Sequence, residues 1–189
     1  MKLEDFGFTE GINEVIAVTI GDFINTAPLG IIVENPKSRK AKVRLYPSHT
    51  RENVKKGSRI YANVVSDPII FAISAFEDLT EGYFSSLDPP VLKSALAYCE
   101  FEAKLTGAFA ELELVDGRVI SKELRAVNRG FYAVIEALVY ATRYLFFKDP
   151  VKKKEFRDKI LHYKEIVEKC GSSKEKTAFK IILSKCNFG

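Results

Sequence analysis

Between Asn13 and Ala126, turn residues cut the chain into about seven short runs of β-branched and apolar side chains, a spacing whose natural outcome is a compact, mostly antiparallel barrel. Residues 13–20 read as a strand, Gly21-Asp22 as a turn, and Pro28 to Glu34 as a second strand ended by Pro36-Lys37-Ser38. Lys40 to Tyr46 alternates Lys, Val, Arg and Leu, the period-two pattern of a half-exposed strand. A short helix over Ser48 to Lys56, closed by Gly57, leads into a strand at Arg59 to Val65. Asp67-Pro68 opens a second short helix, and residues 77–90 are irregular. Strands resume at Tyr98 to Thr106 and Phe109 to Val115, where Asp116-Gly117 predicts a hairpin turn into a last strand over Arg118 to Ala126.

After Val127 the period changes from two to 3.6. Asn128 caps a helix running to about Phe147, Asp149-Pro150 starts another, and Ser172-Ser173 starts a third after the stop at Gly171. The division expected is a barrel over residues 1–127 and a helical subdomain over residues 128–189. The helix after Asn128 is apolar almost all round, which predicts burial on every side. Its charges, Arg129, Glu136 and Arg143, share one stripe but stand about 10 Å apart along the axis, too far to pair with one another. Their partners are expected elsewhere, in another segment, a second subunit or a ligand.

With 189 residues, 47% hydrophobic and 29% charged, the composition is that of a globular chain with a sizeable core. A net charge of +4 is too mild to imply nucleic acid and suits an anionic ligand equally well. The three cysteines, Cys99, Cys170 and Cys186, stand far apart, and no signal peptide is visible. A reducing, cytoplasmic setting follows. The apolar run Phe131 to Phe147 is short for a membrane span and carries Glu136 and Arg143, so no membrane is expected. Two histidines in unrelated contexts support neither a zinc site nor a Ser-His-Asp set, and no glycine-rich nucleotide loop is present.

Three segments invite a ligand. Ser48-His49-Thr50-Arg51-Glu52-Asn53 dresses a helix start with hydroxyls and a guanidinium, donors that suit a phosphate, although plain capping explains any one Ser or Thr there. In Asn25-Thr26-Ala27-Pro28-Leu29-Gly30, Pro28 removes a donor and Gly30 permits close approach, so a flat ring fits against this backbone, as does a hairpin with proline at a strand edge. Asn63, inside an apolar strand, needs partners and either braces a loop or meets a ligand edge.

Taken in order, a strand with Thr19, then Asn25-x-Ala27-Pro28, Ser48-x-Thr50-x-x-Asn53-Val54-x-x-Gly57 and a strand with Asn63 resemble the FMN-binding split β-barrel superfamily of flavin reductase-like and flavoredoxin-like proteins. Asn128-Arg129 and the run Glu136 to Arg143 further resemble a mainly archaeal family whose barrel carries a C-terminal helical extension. The resemblance implies a mainly β fold with α, an antiparallel Greek-key split barrel followed by a helical subdomain. It implies a homodimer with FMN non-covalently bound at or near the subunit interface, and an oxidoreductase or electron-transfer role. Ser48, His49, Thr50 and Asn53 would hold the phosphate and ribityl end. Thr26, Ala27, Pro28, Leu29 and Gly30 would line the isoalloxazine, with Asn63 near the ring or ribityl chain. The family motif often has Arg or Lys where this chain has His49 or Arg51. A non-catalytic FMN carrier or sensor, and a protein- or nucleic-acid-binding barrel using the basic helices, are the alternative functions.

Overall fold

The computed structural model describes residues 1–188. Six strands close an antiparallel barrel in the order β1 (Gly11–Ile20), β2 (Ile24–Val33), β3 (Lys40–Arg44), β8 (Phe109–Val119), β7 (Ala95–Thr106) and β4 (Ile60–Val65). A separate two-stranded ribbon joins β5 (Phe84–Leu87), inside the stretch expected to be irregular, and β6 (Pro90–Leu92), which begins at its end. The helices are α1 (His49–Lys55), α2 (Pro68–Ser74), α3 (Arg129–Phe146), α4 (Pro150–Cys170) and α5 (Ser173–Cys186). The fold class expected from the sequence, mainly β with α around an antiparallel barrel, is the one observed.

Alternation places Val15 and Ala17 of β1, Ile31 and Val33 of β2, Ile60 and Ala62 of β4, Phe101 of β7 and Leu112 and Leu114 of β8 in one core, closed at the N-terminus by Leu3, Phe6 and Phe8. Thr19 continues the inward row of Val15 and Ala17 and is fully buried, so the core face of β1 ends on a hydroxyl. The α1 helix buries Thr50, Asn53 and Val54, the i, i+3 and i+4 positions that share one helix face.

By its contacts the chain divides into a barrel unit, Met1–Ser66 with Asp78–Glu123, and a helical unit, Asp67–Glu77 with everything from Leu124 onward. The α2 helix thus interrupts the barrel sequence yet is a member of the helical unit.

The expected hairpin at Asp116-Gly117 does not form. The β7–β8 turn lies at Gly107, whose φ is +61°, and β8 runs straight through Asp116-Gly117 to Val119. The register there steps from Phe101↔Leu114 to Glu100↔Asp116, so Val115 is an extra residue and the Asp-Gly pair sits beside a bulge, the other place where glycine enters a strand. Beyond Val119 no strand forms before α3.

In the helical unit, α3 buries Ala133, Val134, Ala137, Leu138 and Ala141 along one face only. Tyr132, Leu145 and Phe146 are exposed, which corrects the expectation of burial on all sides. Arg129, Glu136 and Arg143 all face solvent, and no ion pair joins them among the described residues; the Arg143 guanidinium instead lies 6.0 Å from the Tyr140 ring centre. Asn128 caps α3 as expected, its Oδ1 accepting from the backbone N–H of Gly130 (2.8 Å) and Phe131 (3.2 Å). The α5 helix starts on a capping box between Ser172 and Glu175, and Glu175, 1% exposed, also faces Arg125 at 3.6 Å. No helix among the described residues is long and apolar enough to cross a membrane.

Candidate functional site

The polar cluster that the sequence order suggested is assembled where β1, β2 and α1 meet. Thr19 of β1 stands opposite Asn25 of β2 in the strand register. The Asn25 amide donates from Nδ2 to Thr19 Oγ1 (3.2 Å) and to Thr50 Oγ1 (2.9 Å). Asn53 Nδ2 donates to the same Thr19 oxygen (3.1 Å). All four side chains are at least 93% buried, in a position where an unpaired amide is costly. Both N–H groups of Asn25 are spent on threonine oxygens, which makes those oxygens acceptors. Thr50, having accepted, keeps its own hydroxyl proton to give away from the cluster. Nothing in this set titrates, so it supplies hydrogen bonds and orientation rather than acid–base chemistry.

The run from Thr26 to Gly30 lies inside β2 and not in a loop. Strand β2 meets β3 only at Ile31↔Val43 and Ile32↔Lys42. From Ile24 to Gly30 its outer edge therefore lacks a strand partner, and Pro28, without an N–H, loses nothing there. Thr26 is clasped rather than open: its N–H donates to Asp78 Oδ1 (2.7 Å) and its Oγ1 accepts from Leu79 N–H (2.9 Å). Ala27, Pro28, Leu29 and Gly30 are half-buried. A Cβ on Gly30 would come within 2.7 Å of Ile12 Cγ2 and 3.0 Å of Glu14 Oε1, so the side chains of the neighbouring strand would have to shift to admit one.

At the start of α1 the candidates part company. Ser48 is the N-cap; its Oγ accepts from Arg51 N–H (3.3 Å) and donates to Tyr46 O (3.0 Å). Arg51 turns away from the cluster, its guanidinium donating to the carbonyls of Leu45 (3.0 Å) and Gly107 (2.8 Å), where it fastens the helix to the β7–β8 turn. His49 is exposed, its ring edge-on to Phe23 at 5.1 Å. Of the two basic residues in this run, His49 is the one left to meet an anion. Asn63, fully buried, is occupied at both ends by the ribbon: Oδ1 accepts from Leu92 N–H (2.8 Å) and Nδ2 donates to Pro90 O (3.3 Å). Its observed contacts are those of a brace.

Thr19 and Asp78 were not singled out as site residues from the sequence. Thr19 enters the sequence pattern only as a mark of its strand, and the signal for its role is the hydroxyl ending an inward apolar row. Asp78 carried no local signal, since its partner lies 52 residues away.

Two other features bear on chemistry. Burial pushes the Cys99 thiol far above its ordinary range, so it is no nucleophile. A groove of about 860 Å³ crosses the outer faces of β3, β8 and β7, where Glu111 is flanked by Lys42 and Lys104 in the register. It does not include the Thr19–Asn25–Thr50–Asn53 cluster, and its three lysines and Arg59 balance its four glutamates.

Comparison with known proteins adds a lineage. Residues 13–129 match the family model described as "Protein of unknown function (DUF447) N-terminal domain", and residues 128–184 match its companion, "Protein of unknown function (DUF447)". The crystal structure of an FMN-bound DUF447 protein from Methanosarcina mazei is 39% identical, covers 97% of this chain and 99% of its own, and superposes with a TM-score of 0.84. An FMN-binding protein from Thermus thermophilus with bound p-hydroxybenzaldehyde is 14% identical over 61% of this chain and 75% of its own, at a TM-score of 0.47. The flavin reductase HpaC, complexed with NADP+, is 16% identical over 60% of this chain and 81% of its own, also at 0.47. At that level of likeness neither bears on what this chain does. The two family matches and the Methanosarcina structure make the conclusion plain: the chain belongs to the DUF447 family.

Proposed function

We propose that this chain is a flavoprotein that binds FMN non-covalently and works as an oxidoreductase or electron-transfer protein, as a homodimer. The observation that carries the reading is the FMN-bound DUF447 relative, 39% identical over nearly the whole chain. The residues present fit the group. The Asn25-supported hydroxyl of Thr50, the amide of Asn53 and exposed His49 would hold the phosphate and ribityl end, giving an anion hydroxyl, amide and imidazole donors side by side. The half-buried edge of β2 from Ala27 to Gly30 would line the isoalloxazine through its backbone, with Thr26 held in place by Asp78. FMN, when bound, supplies the electron-accepting chemistry; these residues bind and orient it, which suits a cluster without a titratable member.

The test is an absorbance spectrum of the protein as purified. Flavin bands released on denaturation are expected, with NADH, NADPH or reduced deazaflavin then tried as donor to distinguish an enzyme from a carrier. A colourless preparation that gains no flavin signal on adding FMN would sink the reading. Light scattering with and without FMN checks the dimer.

A further inference from the structure

Gly21 follows β1 and, by sequence alone, is an ordinary turn glycine: its N–H donates to Phe23 O (3.2 Å) and it faces solvent. Its backbone does not need glycine, because it is not among the residues with positive φ. At such a position Gly→Ala ordinarily stabilises a protein by restricting the unfolded chain. What forbids a side chain is the space. A Cβ on Gly21 would lie 2.2 Å from Asn53 Oδ1, 2.8 Å from its Cγ and 3.1 Å from its Nδ2, on top of the whole carboxamide. That carboxamide is 93% buried with its residue and donates to Thr19 Oγ1, the oxygen that Asn25 also uses. It has no room to retreat without giving up that bond.

We propose that Gly21 is a positioning residue of the ligand site: the missing side chain at the β1–β2 turn is the seat that holds the Asn53 carboxamide against Thr19. The proposal rests on the FMN reading for its consequence, but the seating itself does not. A methyl group at Gly21 displaces Asn53, frees one acceptor position on Thr19, and loosens the amide network behind Thr50. The effect reaches the ligand through Asn53 alone.

The experiment is a double-mutant cycle on the full chain with Gly21→Ala, Asn53→Ala and both together, reading FMN and riboflavin dissociation constants by flavin fluorescence. The protection of the Asn53 side-chain amide against hydrogen exchange is followed by NMR in the ligand-free protein. Gly21→Ala is expected to weaken FMN about tenfold, the loss of roughly one hydrogen bond, and to abolish the protection of the Asn53 amide. In the Asn53→Ala background the same substitution is expected to change FMN affinity less than about twofold and to raise the melting temperature, because the clash has gone. Unchanged Asn53 protection in Gly21→Ala overturns the proposal, as do losses that simply multiply in the double variant. If Asn53→Ala leaves FMN binding intact while Gly21→Ala still strips the amide of protection, the seating stands and the ligand reading falls.

Discussion

Asn25 and Thr50, 25 residues apart, are joined by a 2.9 Å hydrogen bond whose direction decides what Thr50 has left to offer. Because the amide donates, the threonine hydroxyl is free to donate in turn. Thr50→Val keeps the shape but removes both that donor and the oxygen on which Asn25 is satisfied, so unfolding stability is measured beside affinity and Thr50→Ser, which keeps the hydroxyl, serves as the control. FMN affinity is expected to fall tenfold to a hundredfold, as about 1.5–3 kcal/mol for a hydrogen bond to a charged group implies, while riboflavin, lacking the phosphate, changes little. Parallel fluorescence titrations check this, and equal losses for both ligands would put the phosphate elsewhere.

Arg51 and His49 are predicted to separate cleanly. Arg51→Met removes donors to the Leu45 and Gly107 carbonyls, so it should destabilise the barrel by about 1–2 kcal/mol in urea denaturation and leave FMN affinity within a factor of about two. His49→Ala should do the reverse: no loss of stability beyond about 0.5 kcal/mol, as for an exposed residue, and weaker FMN binding. A large affinity loss in Arg51→Met would contradict the observed placement.

Asn63→Ala leaves the buried N–H of Leu92 and the carbonyl of Pro90 without their partner. A destabilisation of about 2–3 kcal/mol is expected, with raised hydrogen exchange at Leu92 first. Unchanged protection at Leu92 would show that the ribbon does not depend on this side chain.

Glu175 makes the helical unit sensitive to acid. Burial alone would raise its pKa, but the hydrogen bonds from Ser172, its own backbone and the Arg125 charge outweigh burial and hold it below the ordinary 4.5. A folded pKa below the unfolded one means stability that is fully present above about 4.5 and lost as pH falls through the folded value. Glu175→Gln keeps an oxygen for the capping box and removes only the charge, so it should lower the melting temperature at neutral pH at a cost of about 1 kcal/mol, the difference between charged and neutral hydrogen bonds. The gap to the parent should narrow as pH drops below 4.5; a gap independent of pH would mean the carboxylate's charge contributes nothing.

What the sequence disclosed depended on whether the signal was local. The β1, β3 and β4 strands, α1 with its Gly57 stop and the Asn128 cap were legible because period, cap and breaker lie within a few residues of one another. Asp116-Gly117 misled because the same dipeptide serves a hairpin turn and a bulge, and only the partner strand decides between them. The breadth of the apolar surface on α3 could not distinguish a buried helix from one with an uncovered face. In the site, Asn25, Thr50 and Asn53 were readable as residues worth noting, while the roles of Thr19, Asp78 and Arg51 were not. Those roles rest on partners 34, 52 and 56 residues away, which only the closed barrel brings together.

The route of the chain through α2 has a practical consequence for any attempt at modular engineering. The two family models meet at residues 128–129, which invites a cut there. Yet the polypeptide leaves the barrel at Ser66, lays down a helix whose buried Phe71 stacks edge-on against Phe131 at 6.1 Å, and only then returns at Asp78. A gene truncated after residue 127 would encode a barrel carrying an orphaned greasy helix, and one beginning there would encode a bundle missing a member. The helices are less a tail than a stitch: grafting them onto another barrel requires three junctions, after residues 66, 77 and 123, made together.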